Sequence, residues 1–362
     1  MIFLLNSSVD DLSGLPADEI EDLFTALLDA DRSGRHLVVI SRTICSWGVE
    51  NIELSGQNRR HLCSLREQFS TRGNIHSYAS SHLEIVVGDG LVTKVGDHFR
   101  VGHTHFSSNE YGSSKTMMIV ENLNADSKLY EFMLGVAMKQ TAVPSLAVDF
   151  VLGGGNTTVT AFEAEINKHR IAICAVDADR ISPCDRLGDT ARKVMNRHSK
   201  RNLEPDDPAA VYVGIAVETI GHELENYIPL SAVKLINTFN CPNTLDPIVS
   251  QVTHADSLDC FWLYFDTKKG LDGTKVVAKI NTGKKPVSTR QWICEKTGTP
   301  DQDFGSLKIP CIGGSVVEHF LTHDAAKQQY IEFSKTEYWK TLFLQHFELL
   351  LWFLAAPQIS RS

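Results

Sequence analysis

Short apolar runs alternate with helical segments through more than half of the chain, and this alternation constrains the fold more than any other feature of the sequence. In the first third, apolar runs at residues 2–6, 36–41 and 83–88 are separated by helical segments at 17–30 and 59–69. Strands that alternate with helices in this way form parallel sheets covered by helices. The sequence therefore predicts an α/β fold.

The pattern divides the chain into four parts. A hairpin that turns near Gly96 closes a predicted accessory α/β layer at residues 1–106. A polar stretch rich in serine and glycine, residues 107–115, is the predicted linker. A second α/β unit follows at residues 116–270, and the remainder, residues 271–362, is expected to be mixed or helical.

The second unit has the stronger alternation of the two. Its apolar runs are typical of buried strands, and the segments between them have helical periodicity. Helices are expected at residues 127–140, 158–168 and 186–200, and strands at residues 116–122, 145–155, 170–180 and 211–218.

Composition narrows the class of protein. Eight cysteines occur without any C-x-x-C pair, which favours reduced thiols over a zinc ribbon or a disulfide scaffold. The chain begins without a basic leader, and its most apolar tail segment, residues 343–356, is shorter than the ~20 residues of a bilayer crossing. We therefore expect a cytoplasmic protein with no membrane partner. The net charge of −9 does not exclude a nucleic-acid substrate, because a carboxylate-rich metal site can lie beside a local basic strip.

Acidic residues follow three of the apolar runs in the second unit. The carboxyl ends of parallel strands meet at one edge of a sheet, where ligands bind. Two of the three places carry a pair of acids at a spacing of two, and alternate residues of an extended chain point the same way. The acids are Glu121 with Asp126, Asp177 with Asp179, and Glu223 with Glu225.

Carboxylate oxygens at these positions predict a site for Mg²⁺ or Mn²⁺. Two such ions about 4 Å apart would clamp the attacking and leaving oxygens of a phosphodiester transfer. Each acid alone is explained as well by a helix cap or a loop charge. Their recurrence in consecutive strand–helix units favours the metal site.

The same residues resemble a known family. IVENLNADSKLYEFML is similar to the opening strand, glutamate and helix of a TOPRIM domain, AVDADR to its D-x-D strand, and HELENYIP to the E-N-Y segment of OLD-type TOPRIM nucleases from bacterial anti-phage defence. The resemblance covers residues 116–270. It departs from the family pattern at Asn122, where a glycine is usual, and at Asp126, which stands one residue late.

This resemblance implies a Mg²⁺-dependent endonuclease in which Glu121, Asp177 and Asp179 are catalytic. FWLYFDTKKG resembles the segment in which OLD-like nucleases carry an aspartate and a lysine, so Lys268 is the implied catalytic cation. A solvated lysine at the end of a strand is the alternative. A compact ammonium suits a transition state that accumulates negative charge on phosphate oxygens.

OLD proteins proper join the nuclease to an ATPase, but this chain has no G-x-x-x-x-G-K-[ST] loop. The resemblance to PARIS-type effectors implies that a separately encoded ABC-type ATPase controls the nuclease as the toxic arm of a defence system. The substrate, DNA or RNA (tRNA included), is left open. A non-catalytic module that docks on an ATPase or on nucleic acid remains the main alternative, whereas a primase or topoisomerase would need a tyrosine or zinc domain that is not evident.

Two further patterns concern partners. Seven cations follow the D-x-D strand, and they predict a surface for the phosphate backbone unless they form an ordinary solvated helix face. They are Arg180, Arg186, Arg192, Lys193, Arg197, Lys200 and Arg201. Near the C-terminus, apolar residues from Trp339 to Leu351 recur at helical spacing, which predicts either core packing or a face that binds a partner or a second copy of the chain as a homo-oligomer.

Overall fold

The predicted α/β fold is confirmed by a computed structural model, which describes residues 1–203, 207, 210–236 and 258–358. Two mainly parallel sheets are flanked by helices, and the C-terminal region is helical. The strands are β1 (Ile2–Leu5), β2 (Leu37–Val39), β3 (Leu83–Val86), β4 (Thr93–Val95), β5 (His98–Gly102), β6 (Thr116–Val120), β7 (Ser145–Leu146), β8 (Val148–Leu152), β9 (Ala172–Val176), β10 (Gly214–Glu218), β11 (Leu271–Asp272), β12 (Lys308–Ile309) and β13 (Ala355–Ala356).

The described α-helices fall into the same four parts of the chain. They are α1 (Val9–Ser13), α2 (Ala17–Arg32), α3 (Arg42–Asn51), α4 (Gly56–Arg72), α5 (His103–Ser107), α6 (Asp126–Met138), α7 (Thr158–Ile166), α8 (Asp189–His198), α9 (Leu230–Val233), α10 (Leu258–Leu263), α11 (Gly273–Asn281), α12 (Val287–Thr297), α13 (Val316–Thr322), α14 (Asp324–Phe333), α15 (Glu337–Trp339) and α16 (Gln345–Leu354). Among the described residues, no helix combines the length and apolar character needed to cross a membrane.

The N-terminal layer is a five-stranded sheet in the order β2-β1-β3-β5-β4. All its neighbouring strands are parallel except β4 and β5, which form the predicted hairpin. The turn between them passes through Gly96, whose φ of +62° lies in the left-handed region that glycine adopts at little cost. Residues just after β5 form the short helix α5 and do not continue the hairpin.

The second sheet has the order β10-β9-β6-β8, and every pair in it is parallel. Alternate side chains of the central strand β6 enter different cores. Met118 and Val120 join the large core of the molecule, whereas Met117 and Ile119 pack in a smaller core with residues of α7 and α8. Helices therefore cover both faces of this sheet, as predicted, and its carboxyl edge remains open.

The C-terminal apolar stripe is buried inside the chain. Trp339 and Phe347 are fully buried, and β13 pairs with β7 beside the second sheet. The side chain of Thr116, at the start of β6, donates a hydrogen bond of 2.7 Å to the carbonyl oxygen of Phe353. Core packing of the stripe is thus confirmed, and its alternative role as a homo-oligomer face is wrong. We call α16 with β13 the strap.

The stretch predicted as a linker is packed against both halves. Tyr111 is buried, and Arg35 of the N-terminal layer donates to the carbonyl oxygen of Gly112 at 2.9 Å. On the other side, Glu110 forms an ion pair with Arg170, just before β9. The connection therefore fixes the two sheets to each other within one continuous core.

The described cysteines are free thiols, as expected. They are Cys45, Cys63, Cys174, Cys184, Cys294 and Cys311. Cys241 lies outside the described residues, as does the side chain of Cys260.

Candidate metal centre

The six acids predicted as metal ligands line one cavity of about 280 Å³ at the carboxyl edge of the second sheet, and Lys268 lines it with them. Glu121 directly follows β6, and Asp177 directly follows β9. Glu223 and Glu225 lie in the segment after β10. Parallel strands bring these acids to one edge although more than one hundred residues separate the first from the last.

Asp177 is the most strongly perturbed carboxyl group of the cavity. Its burial raises its pKa well above the usual value, and the carboxylates of Glu225, Glu223 and Asp126 raise it further. The backbone N–H of Leu224 donates a hydrogen bond of 2.9 Å to Oδ1 of Asp177. The protein thus holds this side chain in place although its surroundings disfavour its charge.

Glu121 and Asp126 have the same tendency. Burial raises the pKa of Glu121, and the carboxylates of Asp179 and Asp126 act in the same direction. Burial also raises the pKa of Asp126, to about 6. Asp126 begins α6 and accepts a hydrogen bond of 2.8 Å from the backbone N–H of Asn122. Its position one residue later than the family pattern therefore does not remove it from the cavity.

Asp179 reaches the cavity through an unusual backbone conformation. Its φ is +54°, which is costly for a residue other than glycine, and its N–H donates to the carbonyl oxygen of His222 at 2.9 Å. A Cβ atom on Gly188 would lie 2.3 Å from Oδ2 of Asp179. The two aspartates do face one cavity, but through a left-handed turn supported by Gly188 and not through an extended strand.

His222 is a residue of the site that the sequence analysis missed. It is buried, with Nδ1 3.0 Å from the carbonyl oxygen of Arg180 and Nε2 3.3 Å from the carboxylate of Asp266. Burial disfavours its charged form, but the bond to Asp266 and the nearby Glu223 outweigh this and raise its pKa. Ligand atoms of Asp179, His222 and Glu223 lie within 4.8 Å of one another. Its place directly before the E-x-E pair was the signal that could have revealed it.

Lys268 connects the last pair of acids. Its Nζ lies 2.9 Å from Oε2 of Glu223 and 2.8 Å from Oε1 of Glu225. Although burial opposes it, these carboxylates raise the pKa of Lys268 above its usual value, so the ammonium keeps its charge. The backbone N–H of Lys268 donates to Asp266 at 3.0 Å, which fixes the loop that carries it.

The structure divides the seven predicted nucleic-acid-binding cations. Arg186 and Arg192 line a second cavity that adjoins the first at Asp179. Lys193, Arg197 and Lys200 line a different cavity, which contains none of the site's acids.

The other two cations of the run have partners within the chain. Arg180 lies 3.8 Å from Glu218, and Arg201 donates to the carbonyl oxygen of Ala210 at 2.6 Å. The run therefore does not form one continuous strip beside the carboxylates, because helix α8 separates its members onto different surfaces.

Comparison with known proteins gives no assignment: no family model, no curated protein and no solved structure matches the chain.

Proposed function

We propose that this chain is a TOPRIM-type, metal-dependent nuclease that cleaves phosphodiester bonds in DNA or RNA. The observation that carries the proposal is the gathering of seven carboxylates, the six predicted ones and Glu318, with one lysine in one cavity at the open edge of a parallel sheet. Packing like charges together costs stability, and strongly perturbed carboxyl groups in a cleft are typical of functional sites. A bound cation would remove that cost.

The donor set fits Mg²⁺ or Mn²⁺, which prefer oxygen ligands. Glu121, Asp126, Asp177 and Asp179 form no ion pair within the described parts of the chain, so their oxygens are available for one or two ions. Bound ions would neutralise the phosphate and activate a water molecule for attack. His222 lies beside Asp179, but its two ring nitrogens face the carbonyl oxygen of Arg180 and the carboxylate of Asp266, so it supports the site and is not a free ligand.

Glu223 and Glu225 have a different part in this proposal. Both are paired with Lys268, so they position an ammonium at the rim of the cavity and are the weaker candidates for metal ligands. A fixed positive charge there would stabilise the negative charge that grows on the phosphate oxygens in the transition state. Asp266 and His222 support this arrangement by fixing the lysine loop and the turn at Asp179.

The direct test is to incubate the purified protein with plasmid DNA and with total RNA in Mg²⁺ or Mn²⁺. We expect cleavage by the wild type and by Asp149→Asn, an exposed acid of the edge strand β8 that serves as the matched control. Asp177→Asn and Glu121→Gln should each lower the cleavage rate at least 100-fold, because each removes a metal-binding charge. Binding without cleavage in any metal, with an ATPase partner present or absent, would favour the non-catalytic module instead.

The proposal extends to a role as a cytoplasmic toxic effector of anti-phage defence, restrained by a separately encoded ABC-type ATPase. It is supported by the family resemblance together with the lack of an ATP-binding loop in the sequence. Co-expression with an ATPase encoded beside the gene should relieve the toxicity of the active chain. The ATPase should also co-purify with the chain. Equal toxicity with and without that ATPase would contradict the regulatory part alone.

A further inference from the structure

A second cavity, of about 600 Å³, opens next to the carboxylate cavity and shares Asp179 with it. Cations from three separate parts of the chain line this second cavity, which we call the lysine cleft. They are Arg186, Arg192, Lys269, Lys279, Lys284 and Lys285. Four of the six, the lysines from Lys269 to Lys285, were not assigned any binding role from the sequence.

Buried contacts hold the walls of the lysine cleft together. Lys285 forms an ion pair with Asp185, and both side chains are largely buried. Behind them, the hydroxyl groups of Ser182 and Thr289 are 3.0 Å apart in a buried hydrogen bond. Asp185 also accepts from the backbone N–H of Arg186 at 2.9 Å. The loop after the D-x-D strand is thus fixed to the region of α11 and α12, so the cleft is a built concavity and not a chance alignment of flexible side chains.

The acids of the cleft neutralise only part of its positive charge. Asp185 pairs with Lys285, Asp189 with Arg192 at 2.6 Å, and Asp266 with Lys269 at 3.5 Å.

The remaining cations, Arg186, Lys279 and Lys284, are exposed and form no ion pair within the described residues. Burial together with the charges of Lys285 and Lys269 lowers the pKa of Lys279. Crowded cations of this kind are stabilised when an anion binds among them.

We propose that the lysine cleft binds the backbone phosphates of the nucleic-acid strand next to the bond to be cut, an inference that rests on the proposed function. Because Asp179 borders both cavities, a strand that leaves the carboxylate cavity enters the cleft directly. Contacts from lysine and arginine to phosphates give affinity without reading the sequence. The cleft therefore orients the strand across the metal site, and DNA and RNA share the chemistry it recognises.

The test is the binding of labelled single-stranded DNA and RNA oligonucleotides, measured by fluorescence anisotropy in EDTA and again in Ca²⁺ at several salt concentrations. The variant Lys279→Ala with Lys284→Ala removes two unpaired cations of the cleft. We expect binding to weaken about tenfold or more at low salt, and the slope of log K against log salt to fall by roughly 1.4 for single strands. Comparison of the affinities for DNA and for RNA shows which of the two nucleic acids the cleft prefers.

The matched control is Lys139→Ala with Lys234→Ala. Both lysines are exposed and line none of the cavities described above. The control should bind within about twofold of the wild type. Equal losses in the two double variants, an unchanged affinity in the cleft variant, or no binding by the folded wild type in either solution would overturn the proposal.

These measurements separate this proposal from the nuclease proposal. If the wild type binds through the cleft but does not cut in any metal, the binding role of the cleft is supported and the nuclease proposal is contradicted. If the wild type cuts, and the cleft variant binds and cuts as well as the wild type, only the proposal for the lysine cleft is contradicted. Circular dichroism of each variant excludes a general loss of fold.

Discussion

At the scale of single residues, Asp177 shows how the fold and the proposed chemistry oppose each other. Its carboxylate is held by the backbone of Leu224 among other acids, in surroundings that raise its pKa. A carboxyl group with a raised pKa in the folded state lowers stability once the pH is high enough to ionise it. The residue is therefore retained at a cost, which is expected of a functional group.

The variant Asp177→Asn tests this cost directly. In EDTA at pH 8 we expect an unfolding temperature equal to or about 2 °C above that of the wild type, because a repelled charge is gone and the acceptor for Leu224 remains. Mn²⁺ should raise the unfolding temperature of the wild type and of Asp149→Asn, and should not raise that of Asp177→Asn. Differential scanning fluorimetry measures all three. A variant that loses its cooperative transition would show that Asp177 is structural.

Gly188 gives a second prediction at this scale. A methyl group there would collide with the carboxylate of Asp179, at 2.3 Å, so Gly188→Ala must displace that side chain. We expect a loss of about 1–3 kcal/mol in the free energy of unfolding and weaker binding of Mn²⁺. Gly135→Ala is the control, because its methyl group meets nothing within 4 Å and should stabilise helix α6 by about 0.5–1 kcal/mol. Similar stability for both variants would contradict the role of Gly188.

A pH-dependent prediction rests on His198, which is buried and has Nδ1 2.7 Å from the hydroxyl of Tyr212. Burial lowers its pKa to about 4, and the charge of Lys94 contributes. Below pH 6.5 this histidine therefore binds a proton in the unfolded chain but stays neutral in the folded chain, so the free energy of unfolding falls as the pH falls. Between pH 7 and pH 5 this group alone removes about 2 kcal/mol.

The measurement is urea unfolding of the wild type and of His198→Gln at both pH values. The stability difference between the two proteins should shrink by about 2 kcal/mol on going to pH 5, because glutamine does not titrate. A difference that stays constant would mean that His198 has the same pKa in the folded protein as in the unfolded chain.

At the scale of secondary-structure elements, the strands of the two large sheets could be predicted, whereas several helices and the short strands β11, β12 and β13 could not. An apolar run such as that of β9 is too hydrophobic for a solvent-exposed segment, so its burial could be predicted. The position of the acid that follows it, at the edge of the sheet, could be predicted for the same reason. Helix α3 was missed although Ser41 caps it by accepting a bond from the N–H of Ile44, because few of its residues are buried: only Ile44, Cys45 and Gly48.

The lysine cleft could not be predicted from spacing. Lys285 and Asp185 form their ion pair across one hundred residues of sequence, and no local pattern connects the two. Helix α8 also begins at Asp189, three residues after the predicted start, because the loop before it wraps around Asp185. The acids of the carboxylate cavity were predictable because sheet topology gathers strand ends, whereas long-range pairs depend on tertiary packing alone.

The strap provides a prediction at this scale. Phe347 is fully buried, so Phe347→Ala should cost about 3–5 kcal/mol, through lost burial and the cavity left behind. Gln345→Ala, an exposed position of the same helix, should change stability by less than about 0.5 kcal/mol. Urea unfolding compares the two, and sedimentation should find no change in oligomeric state for either. A change in the free energy of unfolding at Phe347→Ala as small as that at Gln345→Ala would contradict core packing and favour an association surface.

At the scale of the whole molecule, the two sheets share one apolar core that includes residues from the N-terminal layer, the second sheet and the strap. Phe99 of the first sheet packs edge-to-face on Phe353 of the strap, at 6.2 Å between ring centroids. The N-terminal layer is therefore part of the body that carries the site, and a partner docked on it would act on that same body.

This shared core predicts a single unfolding transition. Circular dichroism and tryptophan fluorescence should give coincident urea curves, because neither sheet can lose its packing independently. A fragment of residues 1–115 should lack a cooperative transition, since its apolar surface toward the strap would be exposed to water. Two separated transitions, or a fragment as stable as the intact chain, would show that the layers are independent.

The position of the strap in the sequence has a consequence for the timing of synthesis. Tyr227 follows the Glu223–Glu225 pair and packs on Phe347 of the strap and on Phe343 just before it, with ring centroids 5.8 and 4.7 Å apart. A ribosome adds about 5–20 residues per second, so the segment that carries those acids waits on the order of ten seconds for the aromatic wall that supports it. During this interval the acids of the carboxylate cavity are translated but lack this support. If the chain is the nuclease that we propose, it would stay inert on the ribosome, close to the RNA of its own translation, until this segment has docked.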